Sequence, residues 1–207
     1  MWQTRPVAET RLDDRLPSAL TWTVDEAMER SSHALAEGGR VWLVDPVADP
    51  RALEAVEALG RVTAVVQLLD RHPRDCKGLS ARYEVPHLRL PEHLPSTPFE
   101  VKRVTWVPGW REVALWWPEH EALVVPEAVG SASYFAVGGA PLGLHPFLRP
   151  RPPRGLAELA PRHVLPGHGP ALHDDAAPAL REALGRGRRD IPRAALAGVK
   201  AFSPRHG

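Results

Sequence analysis

The sequence predicts an α/β (α+β) chain in which two packed β-sheets carry helices on their outer faces. Three observations lead there. The first half alternates short β-branched and aromatic runs with helical patterns, the second half strings short strands at close spacing, and a helix closes the chain. A length of 207 residues suits one domain, because a single core grows to roughly 250 residues before chains split. Apolar residues at 43% and charged residues at 25% are globular values and exclude a disordered chain. The 23 prolines predict many turns and little long helix.

Residues 20–24 (LTWTV) and 40–44 (RVWLV) read as adjacent strands, separated by polar residues and Gly38-Gly39. Asp45-Pro46 ends the second. Asp49 ahead of Pro50 is a good N-cap with proline at the first helical position, Leu53, Val56 and Leu59 give one apolar face, and Gly60 stops the helix. Residues 62–69 (VTAVVQLL) are nearly all apolar, as in a central strand covered on both faces. A charged loop follows, then a short helix over 78–83 and a strand over 85–90. In the second half, 101–106, 112–116 and 122–125 read as an antiparallel meander joined by Pro108-Gly109 and Pro118-Glu119-His120, with an edge strand over 134–137. Arg149-Pro150-Arg151-Pro152-Pro153 excludes helix and central strand and makes a surface connection. A short helix over 155–159, a strand over 163–165 and the tight turn Pro166-Gly167-His168-Gly169 come next. Asp174 and Asp175 are candidate N-caps for a helix to about Leu184. A basic helical tail from about residue 185, with a second helix after Pro192, completes the single domain.

The formal net charge of +1 gives no global field that marks a binder of nucleic acid or of anionic membranes. From Arg181 onward seven Arg and Lys face only Glu182 and Asp190, so the basic character is local to the tail. No aromatic-basic stacking motif is present, so nucleic acid is not an expected partner. A small molecule or a protein partner is expected instead, its identity open, as is the oligomeric state. The N-terminal stretch mixes acids and arginines where a signal peptide needs an apolar run, and no segment approaches the about 18 apolar residues of a membrane span. Cys76 is the one cysteine, which excludes an intrachain disulfide. Together these features point to the cytoplasm.

Chemistry concentrates in 65–77 (VVQLLDRHPRDCK), where an apolar strand empties into a loop of charged and metal-ligating side chains. The carboxyl ends of strands are where α/β sheets present such groups.

The order of elements and five local signatures resemble the metallo-β-lactamase superfamily. Residues 40–46 (RVWLVDP) resemble that family's strand ending in a structural aspartate, here Asp45. Val164-Leu165-Pro166-Gly167-His168-Gly169 resembles its late Pro-Gly-His-Gly turn. The hallmark His-x-His-x-Asp-His after a buried strand corresponds, aligned on its aspartate, to Arg71-His72-Pro73-Arg74-Asp75-Cys76. Pro108-Gly109-Trp110 stands where the family has a Pro-Gly-His turn, and Pro126-Glu127 where a bridging aspartate follows a strand. The resemblance implies an αββα four-layer sandwich over about 20–184, with the active site at one edge of its two mixed sheets.

In that alignment the first-metal histidines are replaced by Arg71, Pro73 and Trp110, and His72 falls on an intervening position that should face away. Trp110, with Trp106, Trp116 and Trp117 nearby, is expected to fill core, and His87, His93, His120 and His145 to be surface or core residues. What the resemblance leaves at the second metal position is Asp75, Cys76, Glu127 and His168, each a suitable ligand type for zinc. Asp75 and His168 are the candidate catalytic groups. Two readings stay open. In one, the two-metal site is lost and no cofactor binds: Arg71 supplies the positive charge, since two carboxylates about 4 Å apart repel by roughly 4 kcal/mol at an effective dielectric near 20. Its guanidinium then cross-links the site in place of the metal, pointing into the cluster of Asp75, Glu127 and His168. In the other, one zinc ion on those four ligands lowers the pKa of bound water toward about 7 and supports hydrolysis. A fold does not carry its family's activity with it, so the choice rests on the site.

Overall fold

The computed structural model of the protein describes residues 9–194, so the end of the expected basic tail lies outside the described residues. One mixed sheet has six strands in sequential order: β1 (Thr10–Asp13), β2 (Ala19–Val24), β3 (Ser31–Glu37), β4 (Arg40–Val44), β5 (Arg61–Gln67) and β6 (His87–Arg89). β1 to β4 are antiparallel neighbours, whereas β4, β5 and β6 are parallel. Parallel pairing needs crossovers, which α1 (Pro50–Leu59) and α2 (Cys76–Tyr83) provide.

The second sheet contains β7 (Glu100–Val107), β8 (Trp110–Trp117), β9 (Ala122–Val125), β12 (His163–Pro166) and β13 (Leu172–His173), in the order β13-β12-β9-β8-β7. β9 and β12 are parallel and the other pairs antiparallel. A small antiparallel pair, β10 (Val129–Gly130) and β11 (Gly143–Leu144), lies between them in sequence, and α3 (Ala176–Arg186) follows.

Strand periodicity builds the layers. Along β4, Val41 and Leu43 meet Leu53 and Val56 of α1 and Leu79 of α2, while Trp42 and Val44 turn to the opposite face. There they join Val66, Leu115, Trp117, Val124 and Leu165 between the two sheets. On β9, Val124 faces that central layer and Leu123 and Val125 meet Leu180 and Leu184 of α3. The result is the four-layer αββα sandwich. Each fully buried side chain of this size contributes about 1.5–3 kcal/mol of transfer free energy, so all three apolar layers stabilise the fold. Phe99 stacks edge-on between Trp42 and Trp117 at 5.1 and 5.3 Å. Trp110 is buried as expected and Trp117 fills core, whereas Trp106 is 43% exposed.

The differences from expectation have physical reasons. β3 begins Ser31-Ser32-His33, which reads as polar, yet all three are buried because each is used to hold a loop. Ser31 Oγ donates to Gly169 O, Ser32 Oγ accepts from Val47 N, and His33 bonds Thr21 Oγ1 and Pro166 O. Residues 134–137 are not a strand: the N–H groups of Phe135 and Ala136 turn back to Ala132 O. The helix expected over 155–159 is a 3-10 turn, Arg154–Glu158. Asp175 stands at the N-cap of α3 without a side-chain cap bond.

Isolated bridges Leu69↔Glu112 and Arg30↔His168 clamp the sheets together where β5, β9 and β12 end. No helix among the described residues is long and apolar enough to cross a membrane.

Candidate metal centre

The loop after β5 does not continue the strand. Leu69 pairs with Glu112, then His72 N donates to Leu69 O (3.1 Å), Cys76 N to Pro73 O (3.0 Å), and Arg74 adopts a left-handed φ of 36°. Alternation of side chains therefore ends before His72. This overturns the expectation that His72 faces away; it turns into the site.

Two of the expected ligands go elsewhere. Asp75 is exposed, and its Oδ2 accepts from Ala48 N at 2.8 Å, tying α2 to the loop ahead of α1. Cys76 opens α2 and is buried in the apolar layer beneath α1, where burial pushes its thiol up to about 12. It therefore stays a thiol at neutral pH, whereas a zinc ligand is the thiolate. Neither joins Glu127 and His168.

What comes together is His72, Glu127 and His168, whose ligating atoms all lie within 4.8 Å of one another. His72 Nε2 is 3.2 Å from Glu127 Oε2 and 3.4 Å from His168 Nε2. His168 Nδ1 lies 2.8 Å from Met28 O, so Nδ1 carries the proton and Nε2 presents its lone pair to the cluster. His72 Nδ1 faces Asp45 Oδ2 at 3.6 Å, and these two buried atoms have no other partner. Asp45 is held by its other oxygen, which accepts from Leu68 N at 3.0 Å.

Burial opposes charge on every member, and the neighbours decide who keeps it. For Glu127, burial alone raises the pKa, but the hydrogen bond and charge of His72, then Arg71 and His145, bring it to about 2. For His72, burial and Arg74 pull downward, but Asp45 and Glu127 together leave its pKa raised. His168 falls to about 4 through burial, Arg74 and His72, and is neutral at pH 7.

Glu127 is positioned from behind by Glu112. This buried carboxylate accepts from Glu127 N (3.0 Å) and Ala128 N (2.8 Å) through Oε1 and from Trp110 Nε1 (2.7 Å) through Oε2. Burial raises it to about 7 despite those three donors. His145 Nδ1 accepts from Phe147 N at 3.2 Å, which puts its remaining proton on Nε2, 3.3 Å from Glu127 Oε1. Trp110 packs edge-on against His145 at 4.6 Å, so it belongs to the site wall.

Arg71 reaches this carboxylate from outside. Its Nε is 3.3 Å from Glu127 Oε2, its guanidinium lies 3.8 Å over the Trp110 ring, and its side chain remains 38% exposed. It contacts Glu127 but not Asp75, which is occupied at Ala48.

The cation that links the site loops is Arg74, partly buried beneath them. It donates to Ser31 O, to Asp45 O at 2.7 Å and to Gly167 O at 2.9 Å, joining three site loops. Burial lowers its pKa from the usual arginine value, and its charge depresses His33, His72 and His168. Gly167 is required beside it, because a Cβ there would collide with Pro126 O of the Glu127 loop. Arg74 and Glu112 were not singled out by sequence, and His72 and His145 were set aside. The available signal was that His72 and Arg74 share one loop with the strand-end position.

No protein-family model matches the chain, and no curated protein sequence matches it. Solved structures do. The metallo-β-lactamase DIM-1, in a crystal exposed to ceftazidime, is 17% identical with a TM-score of 0.58, covering 93% of this chain and 100% of its own. A metallo-β-lactamase from Pontibacter korlensis is 12% identical with a TM-score of 0.59, covering 86% and 99%. FIM-1 from Pseudomonas aeruginosa, in a mono-zinc form, is 14% identical with a TM-score of 0.54, covering 96% and 99%. At these identities the likeness establishes the fold: the chain has the metallo-β-lactamase fold.

Proposed function

We propose that this metallo-β-lactamase-fold protein has lost two-metal hydrolysis and binds one divalent cation, zinc by its donor set, on His72 Nε2, Glu127 Oε2 and His168 Nε2. In this reading it is a cytoplasmic pseudoenzyme whose metal pocket serves a small-molecule or protein partner. The observation that carries it is the convergence of those three atoms with the outer nitrogens already committed. His168 Nδ1 donates to Met28 O, and His72 Nδ1 faces a carboxylate oxygen of Asp45 that has no other partner. Outer-shell carbonyls and carboxylates of this kind orient metal-bound imidazoles and fix their tautomer. Two histidines and a carboxylate suit zinc.

A second ion has less support. Placing His72 on the second histidine of His-x-His-x-Asp-His shifts the register by one residue, so Asp70, Arg74 and Asp75 take the first-histidine, aspartate and last-histidine positions. An always-charged guanidinium then occupies the place of an anionic ligand, and Asp70 is used to accept from Arg111 N at 3.0 Å. Without the ion, the His72 proton supplies the compensating charge between Asp45 and Glu127, so proton and metal compete for one position.

A second reading, a one-zinc hydrolase, is favoured by a single feature: three protein ligands leave a coordination position open, as catalytic zinc sites do. A bound zinc would supply Lewis acidity and acidify a water there. A fold neighbour has been solved in a mono-zinc form, which supports this reading. Zinc analysis of tag-free protein after equilibrium dialysis tests the shared premise. One equivalent is expected in the wild type and in Cys76→Ala, and none in His72→Ala or His168→Ala. No zinc under replete conditions defeats both readings, and two equivalents would restore the two-metal site.

A further inference from the structure

A groove between α3 and the 3-10 turn Arg154–Glu158 shares no residue with the His72, Glu127 and His168 group. It encloses about 460 Å³, within the roughly 300–1,000 Å³ of small-molecule sites. Arg154, Arg181, Arg188 and Arg189 line it, and among the described residues no carboxylate does. Among the described residues none of these four arginines forms an ion pair, in contrast to Arg186 on the same helix, which pairs with Glu182 and Asp190. Four exposed guanidinium groups around one concavity repel one another, and an anion relieves that repulsion.

The floor carries an independent signal. Gly185 lies in the last turn of α3 with a helical backbone, a position where glycine is less favourable than alanine. Neither positive φ nor crowding accounts for it: a Cβ at Gly185 would meet nothing within 4 Å. Glycine there leaves the groove open between Arg181 on α3 and Arg188 just past its end, both of which line the groove, as close approach of a ligand to the backbone requires. The rim is also preset. Arg188 Nε donates to Pro150 O at 2.9 Å, at the start of the proline-rich segment that runs into Arg154, and fixed donors lose less freedom on binding.

We propose that this groove is a binding site for a nucleotide-sized small molecule bearing a polyphosphate chain. Guanidinium forks match phosphate oxygens in pairs, and four of them match the charge of a di- or triphosphate. The small volume and the net charge of +1 favour such a ligand over a nucleic-acid strand, which needs an extended basic track.

Isothermal titration of the full chain, freed of divalent metal, with inorganic tripolyphosphate and with adenosine triphosphate tests this. Saturable binding at one equivalent is expected. Arg181→Glu and Arg188→Glu should each weaken it by at least about tenfold, and Gly185→Leu, which fills the floor, should remove it. Arg82→Glu, the same charge change on a distant surface, should leave it unaltered. The charge-reversed arginines are exposed, so those variants report even where Gly185→Leu fails to fold. The proposal is overturned by absence of binding, by equal weakening in Arg82→Glu, or by a folded Gly185→Leu that binds normally. Tighter, more salt-sensitive binding of an oligothymidylate than of tripolyphosphate overturns it in favour of a nucleic-acid surface.

Discussion

Replacing Arg74 by methionine removes a partly buried cation whose three hydrogen bonds tie β3, the end of β4 and the turn after β12 together. Gly167 O keeps a second donor in Ser31 N at 2.8 Å, so the main losses fall on Ser31 O and Asp45 O. Hydrogen bonds from a charged donor are worth about 1.5–3 kcal/mol each. Against this, methionine avoids the desolvation cost of a buried guanidinium, which is several kcal/mol before compensation. The net expectation is a loss of about 2–4 kcal/mol. Urea unfolding reads it: with an m-value of about 2 kcal/mol/M, the midpoint should drop by roughly 1–2 M. Arg71→Met, at a half-exposed ion pair, should cost no more than about 1 kcal/mol. Equal losses in the two variants, or a larger one at Arg71, would refute the assignment of Arg74 as the structural cation of the site.

The pH response of the metal-free protein follows from two opposed shifts. His72 is raised above its ordinary 6.5, so its contribution is complete below that value and is lost as pH rises through the folded pKa; His72→Gln should flatten the alkaline side of a stability-versus-pH curve. Glu127 is lowered from 4.5 to about 2, so its contribution is present above 4.5 and disappears as pH falls toward 2; Glu127→Gln should flatten the acid side. Zinc affinity should climb as pH rises through the His72 transition, because the ion needs the unprotonated Nε2; an affinity independent of pH from 6 to 8 would count against His72 as a ligand. Cys76, buried and held near 12, should resist alkylation by iodoacetamide at pH 8 in the native state and react on unfolding, with mass spectrometry as the readout. Glu112→Gln should cost about 1–3 kcal/mol in urea unfolding and weaken zinc binding, since one of its three donors then meets an amide N–H.

The layers were legible from the order of the elements, short apolar strands alternating with helical patterns. Residues 40–44 and 122–125 are nearly continuous apolar runs because the structure covers both of their faces, one in the central layer and one in an outer layer. The α1 boundary was legible from its cap: Asp49 Oδ1 accepts from Ala52 N at 2.9 Å ahead of Pro50. β3 was not, because its serines and histidine are buried through hydrogen bonds to distant loops that no local pattern encodes. The site was half legible. Glu127 and His168 were found through their turns, but the loop between β5 and α2 has no periodicity to fix which way a side chain points. A one-residue register difference exchanged Asp75 and Cys76 for His72, and hid Arg74 behind the more conspicuous Arg71.

The central claim is that His72, Glu127 and His168 hold one ion and no second. Anomalous diffraction at the zinc edge from crystals grown with zinc tests it most directly. The account predicts a single peak bonded to His72 Nε2, Glu127 and His168 Nε2, at about 2.0–2.2 Å from each ligand atom. A peak on Asp75 or Cys76, two adjacent peaks, or an intact His72–Glu127 contact with no peak under saturating zinc would contradict it.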